Sequence, residues 1–573
     1  MTNTVDIDVT PVSPVLPVSI AHTAMIANGR ERKILMHATH VIGRWVLAIA
    51  LLLTTSGQIA SVAASTLQQA ASPVASPGAT PPARIEPEHC PFAKDQVPTD
   101  LVEGKNFRCG TLKVPADHAQ PGGATITLLV TVITSTNKKP SANPLFVLAG
   151  GPGQGASDQL GQFSKKVQPP IATWAPFRDT HDIVLVDQRG TGHSDPSLLC
   201  PADLTATPSP GVAVVPTAAT ESAQTAVSVY GDCAKALIAE GADLSTFTTA
   251  QSAADLDSVR QALGARQIDL VGTSYGTWLA LEVMRNYPQT VHSEILNSPV
   301  PPQADLFLGR LLAFDESLTA TFAGCEADPQ CNAAYPKLDK QLSKTVAELN
   351  QNPRTVPYTD PTTGKKDDTP IDGNTFMDLV YQLDFIGPFI PLVAPLIESV
   401  ANGNDDLMSQ LLPILALSSE GISTGLYYSV MCQDEIPFIS AREIAAAAKA
   451  ANVRPEILAG SVEDDVSGTF ALCREWGLPA SPSIESQPVN SDVPTLIMSG
   501  KFDPIIPHSY GEELAKTLPN STLVQSPIAG HDPLSTSGSC GVAIASSFLM
   551  NPGAKVDASC MKKLRIDFSP PAH

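Results

Sequence analysis

Basic residues are in short supply. The 573-residue chain holds 36 Lys+Arg against 57 Asp+Glu, a formal net charge of −21. A surface of that sign cannot neutralise phosphates, which excludes nucleic acid as a partner. It favours cationic ligands only weakly, because acidity also serves solubility. Neither CxxC nor HExxH spacing occurs, so structural zinc and zincin readings have no support. The apolar run Trp45–Leu53 falls short of the roughly 20 residues that a membrane-spanning helix needs. No internal repeat is visible. Charged residues make up 16% and apolar ones 43%, too apolar for a disordered chain. The length exceeds what one simple core fills, so a large domain with an insertion, or two domains, is expected.

Arg30, Arg32, Lys33 and Arg44 precede that apolar run, and small residues follow it, ending Ser61-Val62-Ala63-Ala64-Ser65. Positive flank, short apolar stretch and small-residue exit read as a secretory signal peptide, residues 1–64, with an uncleaved anchor as the alternative. A start at Met36 would give a leader of ordinary length, about 15–30 residues. The reading implies a secreted, cell-surface or periplasmic protein with no stable membrane insertion after cleavage. Residues 65–88, with Ser72 to Pro87 rich in Pro, Ala and Ser, read as an extended linker. All ten cysteines follow the signal, and an even count in an exported chain favours disulfides. Neighbour pairing is expected: Cys90–Cys109, Cys200–Cys233, Cys325–Cys331, Cys432–Cys473 and Cys540–Cys560.

Further on, strand-like and helix-like segments alternate. Ala124–Thr134, Pro144–Leu148, Asp182–Val186, Gln267–Val271, His292–Asn297, Thr495–Met498 and Thr522–Gln525 read as strands. Ser252–Leu263, Tyr275–Tyr287 and Tyr510–Leu518 read as helices. Such alternation predicts an α/β fold, a mostly parallel sheet covered on both faces. Between Pro301 and Asp492 the alternation stops and the chain reads largely helical: Phe307–Ala323, Leu338–Leu349, Phe376–Leu383, Asp405–Leu417 and Ala441–Ala451. Because the sheet pattern resumes at Pro494, residues 301–492 read as a helical insertion. It divides a core made of residues 89–300 and 493–573.

The strongest motif is Gly272-Thr273-Ser274-Tyr275-Gly276, between the strand QIDLV and the helix YGTWLALEVMRNY. A serine on such a strained strand-to-helix turn presents its hydroxyl at the sheet's carboxyl edge, and side chains at ±2 would clash. A hydroxyl becomes a nucleophile only when a base takes its proton. His292, His508, His531 and His573 follow Ser274. His531, in a glycine-containing loop after the last apolar strand, is the expected base, with His508 the weaker candidate. Asp503, past the preceding strand TLIMSG, is the expected acid that holds the imidazole, with Asp532 the runner-up. Gly150-Gly151-Pro152-Gly153-Gln154-Gly155 follows the strand LFVL. The backbone N–H groups of Gly151 and Tyr275 are the expected oxyanion donors. A phosphate-loop reading of that glycine run fails the GxxxxGK[ST] pattern. Arg189, in the loop Asp187-Gln188-Arg189-Gly190-Thr191-Gly192-His193-Ser194, is expected to pair with a carboxylate and fix that loop. The chemistry needs neither metal nor cofactor.

GGPGQG, DQRGTGHSD, GTSYGTWLALEVMRNYP, SGKFDPIIP and AGHDP together resemble the proline iminopeptidase and tripeptidyl aminopeptidase branch of the α/β-hydrolases. The likeness runs from about Cys90 to Cys560. One departure is Ala149, where proline iminopeptidases usually carry a histidine before the two glycines, and this moves the resemblance towards tripeptidyl-aminopeptidase-like relatives. The resemblance implies an α/β-hydrolase fold with a helical cap and the removal of amino-terminal residues from peptides that have a free amino terminus. Recognising the α-ammonium requires a carboxylate in the cap. Glu435, then Asp434, in Val430-Met431-Cys432-Gln433-Asp434-Glu435, resemble the segment that supplies it. An esterase or lipase on the same scaffold is the alternative.

Overall fold

The computed structural model describes residues 84–94, 96–164, 174–201, 219–359, 364–417, 422–458 and 466–570. The proposed signal peptide, most of the proposed linker and His573 lie outside them. Nine strands form one sheet. In chain order they are β1 (Glu86–Glu88), β2 (Phe107–Pro115), β3 (Thr125–Ile133), β4 (Leu145–Leu148), β5 (Ile183–Val186), β6 (Ile268–Thr273) and β7 (Val291–Asn297), then β10 (Thr495–Gly500) and β11 (Ser521–Ser526). Two more strands, β8 (Arg354–Thr359) and β9 (Lys366–Ile371), make a separate antiparallel hairpin in the insertion.

The spatial order in the sheet is β1-β2-β3-β5-β4-β6-β7-β10-β11. The six strands from β5 to β11 run parallel, and β1, β2 and β3 add an antiparallel edge. The central strands LFVL and IVLV are buried at every residue. Helices cover both faces there, so nothing polar is tolerated, and the sequence reads as unbroken apolar runs. Each such Leu or Val contributes about 1.5–3 kcal/mol by leaving water. β2 escaped the sequence reading because Arg108 and Lys113 are exposed and break the apolar run.

Two further expectations are corrected. The end of the proposed linker is not a linker: Glu86–Glu88 pairs antiparallel with Thr111–Cys109 at the sheet edge. Main-chain hydrogen bonds order this piece despite its polar side chains. The largely helical insertion also holds a hairpin that the sequence did not suggest, since β8 and β9 pair within it. Their residues, RTVPYT and KDDTPI, carry little strand signal, and the pairing comes from the ladder. The stretch Asp405–Leu417 is also broken, into Asp406–Leu411 and Pro413–Leu417. Pro413 has no N–H to continue the helical ladder.

Elsewhere the insertion is helical, with Leu306–Ala327, Leu338–Gln351, Gly373–Phe385 and Ala441–Ala450 where the periodicity places them. Sheet, flanking helices and insertion fall in one compact unit. The five disulfides are the expected neighbour pairs, and no described cysteine is free. Such bonds belong to an oxidising, extracellular type of compartment. Among the described residues no helix is long and apolar enough to cross a membrane.

Candidate active site

β6 ends at Thr273 and the helix Tyr275–Asn286 begins two residues later, so Ser274 makes the whole turn. Its backbone sits at φ 58°, ψ −127°, a conformation that costs a non-glycine residue on the order of 1–3 kcal/mol. The flanking glycines follow from the same tight turn. A Cβ on Gly272 would run into the Gly276 carbonyl, and one on Gly276 into the Leu148 carbonyl of β4. Ser274 is 4% exposed, and its hydroxyl has no hydrogen-bond partner among the described residues. Burying an unsatisfied hydroxyl is costly, and strain and an idle polar group at one residue together mark a site built for chemistry.

Asp503 and His531 lie in the loops after β10 and β11. His531 Nδ1 stands 2.8 Å from Asp503 Oδ2, with both side chains almost fully buried. The other oxygen, Oδ1, accepts the N–H groups of Ile505 (2.9 Å) and Ile506 (3.0 Å). The sequence reading missed two residues at the end of β7, Asn297 and Ser298. Ser298 Oγ donates to Asp503 Oδ2 at 2.8 Å and accepts the Asp532 N–H at 3.3 Å. The Asn297 carbonyl accepts the Ser274 N–H at 2.9 Å, while its side chain donates to Asp532 Oδ1 at 2.6 Å and accepts the Leu534 N–H at 3.0 Å. β7 lies between the strand of the serine and the strand of the aspartate. Its two terminal polar residues therefore bind Ser274, Asp503 and the residue after His531 into one constellation. The available signal was the polar pair Asn-Ser ending an apolar strand.

The competing candidates are occupied elsewhere. Asp532 caps the short helix Pro533–Thr536 through the Ser535 N–H. His508 Nδ1 lies 2.6 Å from Ser499 Oγ, and His292 Nδ1 lies 2.7 Å from Asp269.

Gly151 takes φ +106°, a region that disfavours any side chain. Tyr275 is the first residue of its helix, so its N–H belongs to the first-turn amides that no intrahelical carbonyl reaches. Positive potential at that helix end adds to the effect. Gly150 packs against the nucleophile turn: a Cβ there would lie 3.2 Å from Ser274 Cβ and 3.1 Å from the Thr273 carbonyl. The insertion closes on this loop, where the Ser423 N–H donates to the Gly153 carbonyl at 2.9 Å.

Arg189 pairs with a carboxylate, as expected. Nε and Nη2 fork onto the two oxygens of Asp255 at 2.8 and 2.7 Å, and Arg189 is fully buried.

Asp434 and Glu435 occupy one π-helical turn, Met431–Glu435, and both are buried. Asp434, the second candidate for amine binding, is held by core residues. Its Oδ2 accepts the Thr249 N–H (2.8 Å) and hydroxyl (2.7 Å), and its Oδ1 accepts the Ser481 hydroxyl at 2.5 Å. With every oxygen engaged it ties the insertion to the core, and burial pushes its pKa to about 6. Glu435 differs. Its Oε1 accepts the Leu306 N–H at 2.9 Å, and no salt bridge reaches it among the described residues. Burial, with Asp305 and Asp434 close by, drives its carboxyl well above the usual carboxylate range. A buried acid among acids lacks a cation.

This geometry is that of an α/β-hydrolase. Residues 143–355 match the family described as alpha/beta hydrolase fold, and residues 460–560 match the family described as TAP-like protein. Within that class the chain is similar to the following relatives. It is 25% identical over 446 residues to the serine protease Hip1 of Mycobacterium tuberculosis, covering 72% of this chain and 80% of that one. It is 30% identical over 204 residues to the tripeptidyl aminopeptidase of Streptomyces coelicolor, 35% of this chain and 36% of that one. Carboxylesterase B of Mycobacterium tuberculosis is 27% identical over 446 residues, covering 73% and 79%.

Proposed function

We propose that the protein is an exported serine hydrolase that removes amino-terminal residues from peptides through Ser274, His531 and Asp503. The observation that carries the reading is the Asp503–His531 hydrogen bond of 2.8 Å, linked through Asn297 and Ser298 to a strained serine whose buried hydroxyl is idle. In this reaction His531 takes the Ser274 proton as the oxygen attacks the scissile carbonyl. Asp503 holds the Nδ1–H and stabilises the imidazolium. The N–H groups of Gly151 and Tyr275 receive the negative oxygen, each worth about 10²–10³ in rate. Protonated His531 gives its proton to the leaving amine. The same steps, run with water, then free the acyl group and restore the serine.

Glu435 takes the substrate's α-ammonium. A buried acid with no cation nearby gains most when one arrives, because the ammonium reverses the repulsion from Asp305 and Asp434. Glu435→Gln is expected to raise KM for free-amine peptides by about 10–100-fold, the worth of one charged hydrogen bond. KM for simple esters should barely change. An equal rise for both would remove Glu435 from amine binding. The class itself is tested with aminoacyl and tripeptidyl chromogenic amides beside a p-nitrophenyl ester. Cleavage of free-amine amides, lost on acetylation, supports the aminopeptidase. Cleavage of the ester alone would make the chain an esterase, the activity named in its relative Carboxylesterase B.

A further inference from the structure

Two helices of the insertion meet behind the Asp503–His531 pair. Ser317 and Thr321 lie on Leu306–Ala327, and Asp384 and Phe385 end Gly373–Phe385. Ser317, Thr321 and Asp384 are fully buried. Ser317 Oγ lies 2.6 Å from Asp384 Oδ2 and 2.9 Å from the Phe502 carbonyl oxygen, while Thr321 Oγ1 donates to Asp384 Oδ1 at 3.1 Å. A hydroxyl has one proton, and a carbonyl oxygen can only accept. Both contacts are hydrogen bonds at once only when the Ser317 proton goes to Phe502 and the acid supplies the proton in the 2.6 Å contact.

Phe502 immediately precedes Asp503, and its N–H donates to the Ala529 carbonyl at 2.9 Å, two residues before His531. Phe385 grips the histidine directly: its carbonyl accepts the His531 N–H at 3.0 Å, and its ring lies 4.8 Å from the imidazole. We propose that Asp384 is held as a neutral carboxylic acid and, through Ser317 and the Phe502 carbonyl, is a positioning residue for the Asp503–His531 pair.

Burial supports this state, raising the Asp384 pKa to about 7 against the opposing bonds from Ser317 and Thr321. Ionisable groups on the surrounding elements are Asp315 and Glu316 beside Ser317, Arg454 and Glu456 next to them, Asp378 and Tyr381 on its own helix, and Asp503 and His531. Asp315 is paired with Arg454 and Asp503 with His531. Asp384 itself bonds to Ser317 and Thr321. When it ionises, the Ser317 proton turns to the carboxylate and Phe502 loses its donor. Because the folded value is raised, this contribution to stability is complete below the ordinary aspartate pKa. It is lost as pH rises through about 7.

The proposal rests on the triad reading, so the probe is a fluorophosphonate that reports serine reactivity whatever the substrate. In the wild type its second-order rate should fall above about pH 7 as Asp384 ionises. Asp384→Asn, whose amide donates to Ser317 at every pH, should keep the rate and lose the fall. Ser317→Ala and Asp384→Ala should slow the reaction by about tenfold or more throughout. An Asn variant with the wild-type alkaline fall, or as slow as the Ala variant, overturns the proposal. Infrared difference spectra, wild type minus Asp384→Asn, should show a protonated-carboxyl band at about pH 5 that is gone by about pH 9. Absence of that band at the lower pH also overturns it, independently of activity. Undiminished labelling of Ser274→Ala would instead defeat the triad reading and leave the infrared result standing.

Discussion

Ser274→Ala is expected to lower kcat by about 10⁴–10⁶-fold, leaving the residual rate that binding and oxyanion donors supply without a nucleophile. KM should change little, since the hydroxyl makes no ground-state hydrogen bond among the described residues. The fold should survive. Alanine must still adopt φ 58°, so the strain remains, and removing an idle buried oxygen costs no partner. Far-ultraviolet circular dichroism and a denaturant midpoint within about 1 kcal/mol of wild type would establish that the loss is chemical. A variant that keeps more than about a hundredth of the activity would place the nucleophile elsewhere. Asp503→Asn should fall in the same direction by about 10⁴, because an amide turns the imidazole to the wrong tautomer.

The second large effect concerns stability. Arg189→Leu is expected to cost about 3–5 kcal/mol, read as a fall in the denaturant midpoint. The guanidinium joins four parts of the core. Besides Asp255 on the helix Thr249–Ala262, it donates to the carbonyls of Ala116 and Thr246, each at 2.6 Å, and of Pro115 at 3.3 Å. Leucine would fill some of the volume but leave three part-buried carbonyls without this donor. Asp255 would be left with His118, whose Nε2 lies 2.7 Å away. Lysine should rescue little, since an ammonium cannot span the two oxygens of Asp255 as the fork does. The double variant Arg189→Leu/Asp255→Leu should recover part of the loss, because the charge left behind is the main cost. A single variant within about 1 kcal/mol of wild type would show that the pair does not hold the loops together.

The strained serine turn was legible because its signals are local. A strand, a five-residue turn and a helix are contiguous in the chain, and the glycines at ±2 answer a steric demand made by their own neighbours. The pairing of Asp503 with His531 was legible for a related reason, since parallel strands deliver their following loops to one edge of the sheet. Asn297 and Ser298 were not legible. Each is an ordinary polar residue until β7 settles between β6 and β10 and brings its end against Ser274, Asp503 and Asp532. The ties of Asp434 to Thr249 and Ser481 were not legible, because an acid in a capping segment looks the same in sequence whatever it faces. β1 and β9 were invisible because their order comes from main-chain pairing with partners, and β8 because its alternation, Val356 and Tyr358 inward, spans only two buried residues.

Alone, the residue order decided the α/β alternation, the nucleophile turn, the neighbouring cysteine pairs and the order of serine, acid and histidine. All of these depend on short-range sterics or on periodicity along the chain. Packing decided which acids are satisfied and which are left without a cation, as Asp434 and Glu435 show side by side. It also decided that a hydroxyl of the insertion should share its surroundings with Asp384 and Phe502. Hydrogen-bond satisfaction and desolvation depend on residues tens to hundreds of positions apart, and no window along the chain contains both partners.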